Sequence, residues 1–209
     1  MGNSESKKLE SFNILVIGRR CVGKSTLINS VFGKNLAKEG NGKCTIEIKS
    51  YTQEDSHLNL YDTPSFITSS PSSIASYKKQ IFDLISKQSK TKDINKFIHC
   101  IWYCIDTNVG QIFEPEMQLI SEFKNIPVIV VLTRSDNREK ANIMMRKVEN
   151  LQLKINYIVP ILARKTNIKT SYGVDNLINF SIISLPDNMR ISYDTLEFVS
   201  NRKINVITI

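Results

Sequence analysis

One stretch of eight residues, Gly18-Arg19-Arg20-Cys21-Val22-Gly23-Lys24-Ser25, limits what this chain can fold into more than any other feature. It has the spacing G-x-x-x-x-G-K-[ST] and stands directly after an apolar run and directly before an amphipathic one. Gly18 and Gly23 let the loop curl so that the backbone N–H groups of Arg20, Cys21 and Val22 point at an anion. A helix starting at Ser25 aims its positive end at the same place. The arrangement suits the phosphate tail of a nucleotide. Lys24 reaches the β and γ phosphates, Ser25 offers its hydroxyl to Mg²⁺, and Thr26 supports the start of the helix.

The surrounding pattern demands a parallel sheet. Short runs rich in Val, Ile, Leu and Tyr alternate with longer amphipathic segments, which implies an α/β fold: a three-layer, mostly parallel six-stranded sheet with helices on both faces. Strands are expected at Phe12–Ile17, Ile46–Tyr51, Leu58–Tyr61, Ile98–Ile105, Val128–Thr133 and Tyr157–Ile161. Helices are expected at Ser25–Val31, Ile74–Gln88, Glu116–Phe123, Arg138–Leu151 and Val174–Ser184. Two loops stand out. The segment from Phe32 to Cys44 holds Gly33, Gly40 and Gly42, and that from Asp62 to Ser73 holds Pro64, Pro71 and five serines.

Length allows one domain. At 209 residues with 41% hydrophobic content, a single core can be filled and a second domain is not expected. The reading places a flexible tail at residues 1–11, the nucleotide-binding domain at 12–185, and an extension at 186–209 that is helical over Met189–Val199 and then apolar. The +8 net charge suits an anionic partner, but Lys and Arg are spread along the chain, so nucleic acid is not the expected one. The four cysteines, Cys21, Cys44, Cys100 and Cys104, form no C-x-x-C pair, which implies reduced thiols and a cytoplasmic protein. Cys100 and Cys104 lie four apart on a strand and should share one face. No stretch is long and apolar enough to span a bilayer or to form a secretory signal.

Three further elements choose the base. Thr45, late in the first loop, is placed to meet Mg²⁺ and the γ-phosphate. Asp62, followed by Thr63 and Pro64, closes a strand at the carboxyl edge of the sheet and can hold a metal water. Thr133-Arg134-Ser135-Asp136 follows the most apolar strand; the Asp136 carboxylate can accept from the N1–H and N2–H₂ edge of guanine, which adenine cannot match. Arg134 would lay its stem and guanidinium plane over the ring. After the last strand, Leu162-Ala163-Arg164 could offer the Ala163 N–H to guanine O6.

This order of motifs resembles the translation-factor-related GTPases, in particular the Era-like and septin-like branch. The likeness covers residues 12–185. A second choice is the AIG1-type immunity-associated GTPases, which are similar in their Thr-Arg-x-Asp element. The resemblance implies GTP and GDP as ligands with Mg²⁺, GTPase activity, and the possibility of a homodimer across the nucleotide face. It also exposes departures. Ser65 stands where the family has the glycine of D-T-P-G, and Phe66 where Ras-like members carry a water-orienting glutamine. Cys21 stands where potassium-using members have asparagine. Slow intrinsic hydrolysis is therefore expected, or a nucleotide-holding scaffold with little turnover. At the amino end, Met1-Gly2-Asn3-Ser4-Glu5-Ser6 matches M-G-x-x-x-[ST], so Gly2 is a candidate for myristoylation and reversible attachment to the cytoplasmic face of a membrane, with Lys7 and Lys8 adding charge.

Overall fold

The apolar runs become the centre of a six-stranded sheet. The computed structural model describes residues 7–37, 47–52, 57–67, 69–166, 169–186 and 189–191. Its main strands are β2 (Phe12–Gly18), β3 (Lys49–Tyr51), β4 (Leu58–Asp62), β5 (Cys100–Asp106), β6 (Val128–Thr133) and β7 (Tyr157–Pro160). They lie in the order β3-β4-β2-β5-β6-β7. All neighbours are parallel except the edge strand β3, which runs antiparallel to β4. Strands β2, β5 and β6 are buried along their whole length, as parallel strands covered on both faces must be.

Alternation along those strands fixes the layers. Ile14, Val16, Cys100, Trp102, Cys104, Ile129 and Val131 face α1 (Lys24–Phe32) and α5 (Val174–Ile183). Leu15, Ile17, Ile101, Tyr103, Val130 and Leu132 face α2 (Pro71–Ser89), α3 (Glu114–Glu122) and α4 (Arg138–Asn150). Cys100 and Cys104 do share one face, and burial pushes both thiols up to about 12. The indole of Trp102 reaches out of the sheet and donates to Ser181 Oγ at 2.7 Å, pinning α5.

Three expectations are corrected. Residues 7–9 are not free tail: Lys7–Leu9 form β1, paired in parallel with β8 (Met189–Ile191), and Leu9 is fully buried. The helix expected from Met189 begins instead as that strand, and the remainder of Met189–Val199 lies outside the described residues, as do Ile204–Ile209. Helix α2 starts at Pro71 rather than Ile74, because Ser70 caps it from Oγ to Ser73 N and Pro71 takes the first helical position, where no N–H is needed. No helix among the described residues is long and apolar enough to cross a membrane.

Candidate functional site

The carboxyl ends of β2, β4, β5 and β6 converge at the loop joining β2 to α1. Gly18 has φ +145°, and a Cβ there would lie 2.5 Å from the Cys104 carbonyl oxygen, so only glycine lets the loop pass this close to β5. Gly23, at φ +94°, precedes α1 in the left-handed region. Cys21 also takes a left-handed φ, 61°. Lys24 folds back over the loop: its Nζ donates to Gly18 O at 2.9 Å, Arg19 O at 3.1 Å and Ser65 Oγ at 3.0 Å.

Beside it, Ser25 Oγ donates to Asp62 Oδ2 at 3.1 Å, with Asp62 1% exposed. A carboxylate and a hydroxyl held together next to the amino end of a helix are hard oxygen donors suited to Mg²⁺, which keeps several waters and takes only one or two protein ligands. No group of three or more His, Cys, Asp or Glu side chains placed to hold a metal ion is found among the described residues. Thr45, the remaining expected metal contact, lies outside the described residues, and so does Gly2.

The loop after β6 is welded to the phosphate loop. Thr133 Oγ1 donates to Val22 O at 2.6 Å, and the Arg134 guanidinium donates to Cys21 O at 2.8 Å and to Asp106 Oδ2 at 2.7 Å. Sequence reasoning had Arg134 covering the ring; here its head is anchored at both ends, which leaves the stem as the part open to a base. Asp106 was not anticipated. Its signal was available, since it is a carboxylate closing a buried apolar strand just as Asp62 does.

Asp136 itself is exposed, at the tip of this loop. Its backbone is held on two sides: Lys169 Nζ donates to Asp136 O, and Tyr172 OH donates to Ser135 O. The Tyr172 phenol is pushed above its usual range, first by burial and then by the charge of Asp136. Tyr172 and Ala163 both border a cavity of about 320 Å³ at the amino end of α5. Ala163 and Arg164 also border a neighbouring one of about 300 Å³ against Thr26 of α1. The structure thus brings Ala163, Arg164, Thr26 and Tyr172 around adjoining hollows large enough for a purine, and Asp136, which borders neither hollow, close enough to Tyr172 to act on its phenol. Tyr172 was missed because it lies in the loop after β7, where its pairing with Leu162 and its bond to Ser135 O, both set by the fold, fix its place.

With this geometry in view, a model of the 50S ribosome-binding GTPase family matches residues 13–134, more than half of the chain. The chain belongs to that family. GTPase Era of Buchnera aphidicola (strain Tuc7) is 26% identical over 195 residues, which cover 88% of this chain and 62% of that protein. Cell division control protein 10 of Candida albicans is 28% identical over 150 residues, covering 60% of this chain and 42% of that one. The chain therefore spans less than two thirds of the length of either relative. A septin GTPase domain from Chlamydomonas reinhardtii shares the fold, with TM-score 0.51 at 20% identity over 68% of this chain and 60% of that one.

In this GTPase domain the segment after Asp62 is tied down. Thr63 Oγ1 contacts Val16 O and Tyr77 OH, both at 2.9 Å, and Tyr77 is fully buried with its phenol pushed up by that burial. Phe66 is 1% exposed and packs on the Tyr77 ring at 4.8 Å between centroids. Arg20 N donates to Phe66 O at 3.4 Å, joining this segment to the phosphate loop.

A second anchor lies beneath the loop. Arg19 Nε sits 3.1 Å from Glu116 Oε1, and its guanidinium lies 4.5 Å from the Phe113 ring centroid. Glu116 is fully buried; its other oxygen accepts from Phe113 N at 3.1 Å and so caps α3. Burial holds the Glu116 carboxyl above its usual range despite Arg19.

Proposed function

We propose that this GTPase-family chain binds GTP in preference to ATP, hydrolyses it slowly, and works as a membrane-associated switch. Family membership supports GTP binding and hydrolysis. The observation that carries slow turnover is Phe66: its ring is buried against Tyr77, so the position offers neither a polar group nor a free side chain to orient an attacking water. Ser65, bonded to Lys24, adds a side chain where the loop would otherwise flip freely toward the γ-phosphate.

Lys24 grips the phosphates, the Gly18–Ser25 loop cradles them, Asp136 selects guanine, and Arg134 and Ala163 flank the base. Ser25, Thr45 and Asp62 would hold Mg²⁺, which when bound neutralises charge between the β and γ phosphates. A partner, or a second copy facing across the nucleotide, would supply the missing stabilisation of the transition state. Gly2, myristoylated, would bring the switch to a membrane; one acyl chain binds only reversibly, so Lys7 and Lys8 contribute.

Fluorescent mant-GTP titration with ATP as competitor tests the guanine preference; equal competition by ATP removes it. Phosphate release with Mg²⁺, followed at low and high protein concentration, tests turnover. Hydrolysis at background in both would favour the second reading, a scaffold that holds nucleotide without using it.

A further inference from the structure

The amino ends of the parallel strands, at the edge of the sheet opposite the phosphate loop, carry an apolar groove that the nucleotide chemistry does not use. It has a volume of about 460 Å³ and is walled by Phe82 and Ile85 of α2, Phe97 and Ile98 before β5, Ile126 before β6, and Met189 of β8. Of the polar side chains at its wall, which include Lys124 and Asn125, three are already engaged: Ser89, whose Oγ donates to Ser86 O at 3.0 Å, His99 and Glu122. His99 accepts from Asn13 N at Nδ1 and donates from Nε2 to Ile94 O, which fixes a neutral ring, and burial lowers its basicity further. Glu122 is paired with Lys78. What remains for an occupant is mostly hydrocarbon and aromatic surface, with the Lys124 and Asn125 side chains beside it.

We propose that this groove holds the acyl chain of a myristoylated Gly2, so that the lipid is stored against the domain when it is not in a membrane. The proposal rests on the lipidation reading of Gly2. Two observations select this occupant. In β1, Lys7 is in register with Met189, which lines the groove, so the amino-terminal segment is delivered to its rim. Four residues separate Gly2 from Lys7, and the five Cα–Cα steps span at most about 18 Å, which keeps an acyl group on Gly2 within reach. The volume also fits: scaling from an apolar cavity of about 150 Å³ that admits benzene, a myristoyl chain needs roughly 350 Å³.

The test uses the full chain, made with and without a co-expressed N-myristoyltransferase, with Ile and Met methyl groups labelled for NMR. Acylation is expected to shift the methyls of Ile85, Ile98, Ile126 and Met189 and to leave Ile28, on the opposite face of the sheet, unmoved. Ser89→Trp, which fills the mouth of the groove, is expected to raise binding of the acylated chain to phosphatidylcholine vesicles about tenfold, if the chain is stored roughly nine-tenths of the time. Unmoved groove methyls, or equal vesicle binding by Ser89→Trp, overturn the proposal. So does a shift of the same methyls by Val206→Asp in the unacylated chain, which would assign the groove to the carboxy-terminal segment. A myristoyl-Gly-Asn-Ser peptide added to unacylated Gly2→Ala protein separates the two readings. It should move the groove methyls whether or not cells modify Gly2, and its failure to do so sinks the groove. Absence of a myristoyl mass on protein from eukaryotic cells sinks lipidation alone.

Discussion

Replacing Glu116 by alanine should loosen the phosphate loop from below. The carboxyl is fully buried, Arg19 is 15% exposed, and the two meet at 3.1 Å, so the substitution strands a mostly buried cation. Breaking such a pair costs about 3–5 kcal/mol. The Phe113 ring under Arg19 offsets roughly 1 kcal/mol of that, and losing the helix-capping contact to Phe113 N adds a similar amount. The net is about 3–5 kcal/mol, or a drop of roughly 6–20 °C in melting temperature for a domain of this size. Urea denaturation of nucleotide-free protein reads the stability, and mant-GDP release, expected to quicken, reads the loop. A cost below about 1 kcal/mol would mean that Arg19 simply turns to solvent, and the anchor reasoning fails. Glu116→Gln adds a check of sign. Because burial raises the folded-state pKa, the contribution of the carboxyl is present at acid pH and is lost as pH rises through that raised value. Stability relative to wild type should therefore move in favour of Glu116→Gln as pH rises; movement the other way would show that Arg19 attraction outweighs burial.

Asp136→Ala should weaken mant-GTP binding by roughly a hundredfold or more, through loss of two charge-assisted hydrogen bonds, with little effect on folding because the side chain is exposed; unchanged preference over ATP would remove the guanine assignment. Gly18→Ala should abolish nucleotide binding and lower the melting temperature, since the new methyl meets the Cys104 carbonyl at 2.5 Å. Ser181→Ala should cost about 1–3 kcal/mol in urea denaturation, because the buried Trp102 N–H loses its acceptor. Chelating Mg²⁺ with EDTA should speed nucleotide release in the wild type and change it less in Asp62→Ala, measured by stopped-flow mant fluorescence.

The sheet and the phosphate loop were legible because their signals are local. Strands β2, β5 and β6 are unbroken apolar runs, and Gly18 to Ser25 carries its geometry in its spacing. Helices α4 and α5 start at the residues expected, each following a recognisable cap or glycine. The serines around Pro71 hid the start of α2, since the same residues that make loops also cap helices. The pairing of β1 with β8 could not be read: three-residue strands have no periodicity, and their partners lie at opposite ends of the chain. At the site, Lys24, Ser25, Asp62 and Asp136 were visible as charged or hydroxyl groups at strand ends. Asp106, Tyr172 and the pair of Arg19 with Glu116 were not singled out, because each matters only through a neighbour distant in sequence.

Lys24 already has its ammonium hydrogens committed to two carbonyls and the Ser65 hydroxyl. Nucleotide capture is therefore a trade of partners rather than the quenching of a lone positive charge. The same trade makes Ser65 a reporter, since a phosphate that draws the amine away frees the Ser65 hydroxyl while Thr63 and Phe66 keep their own anchors.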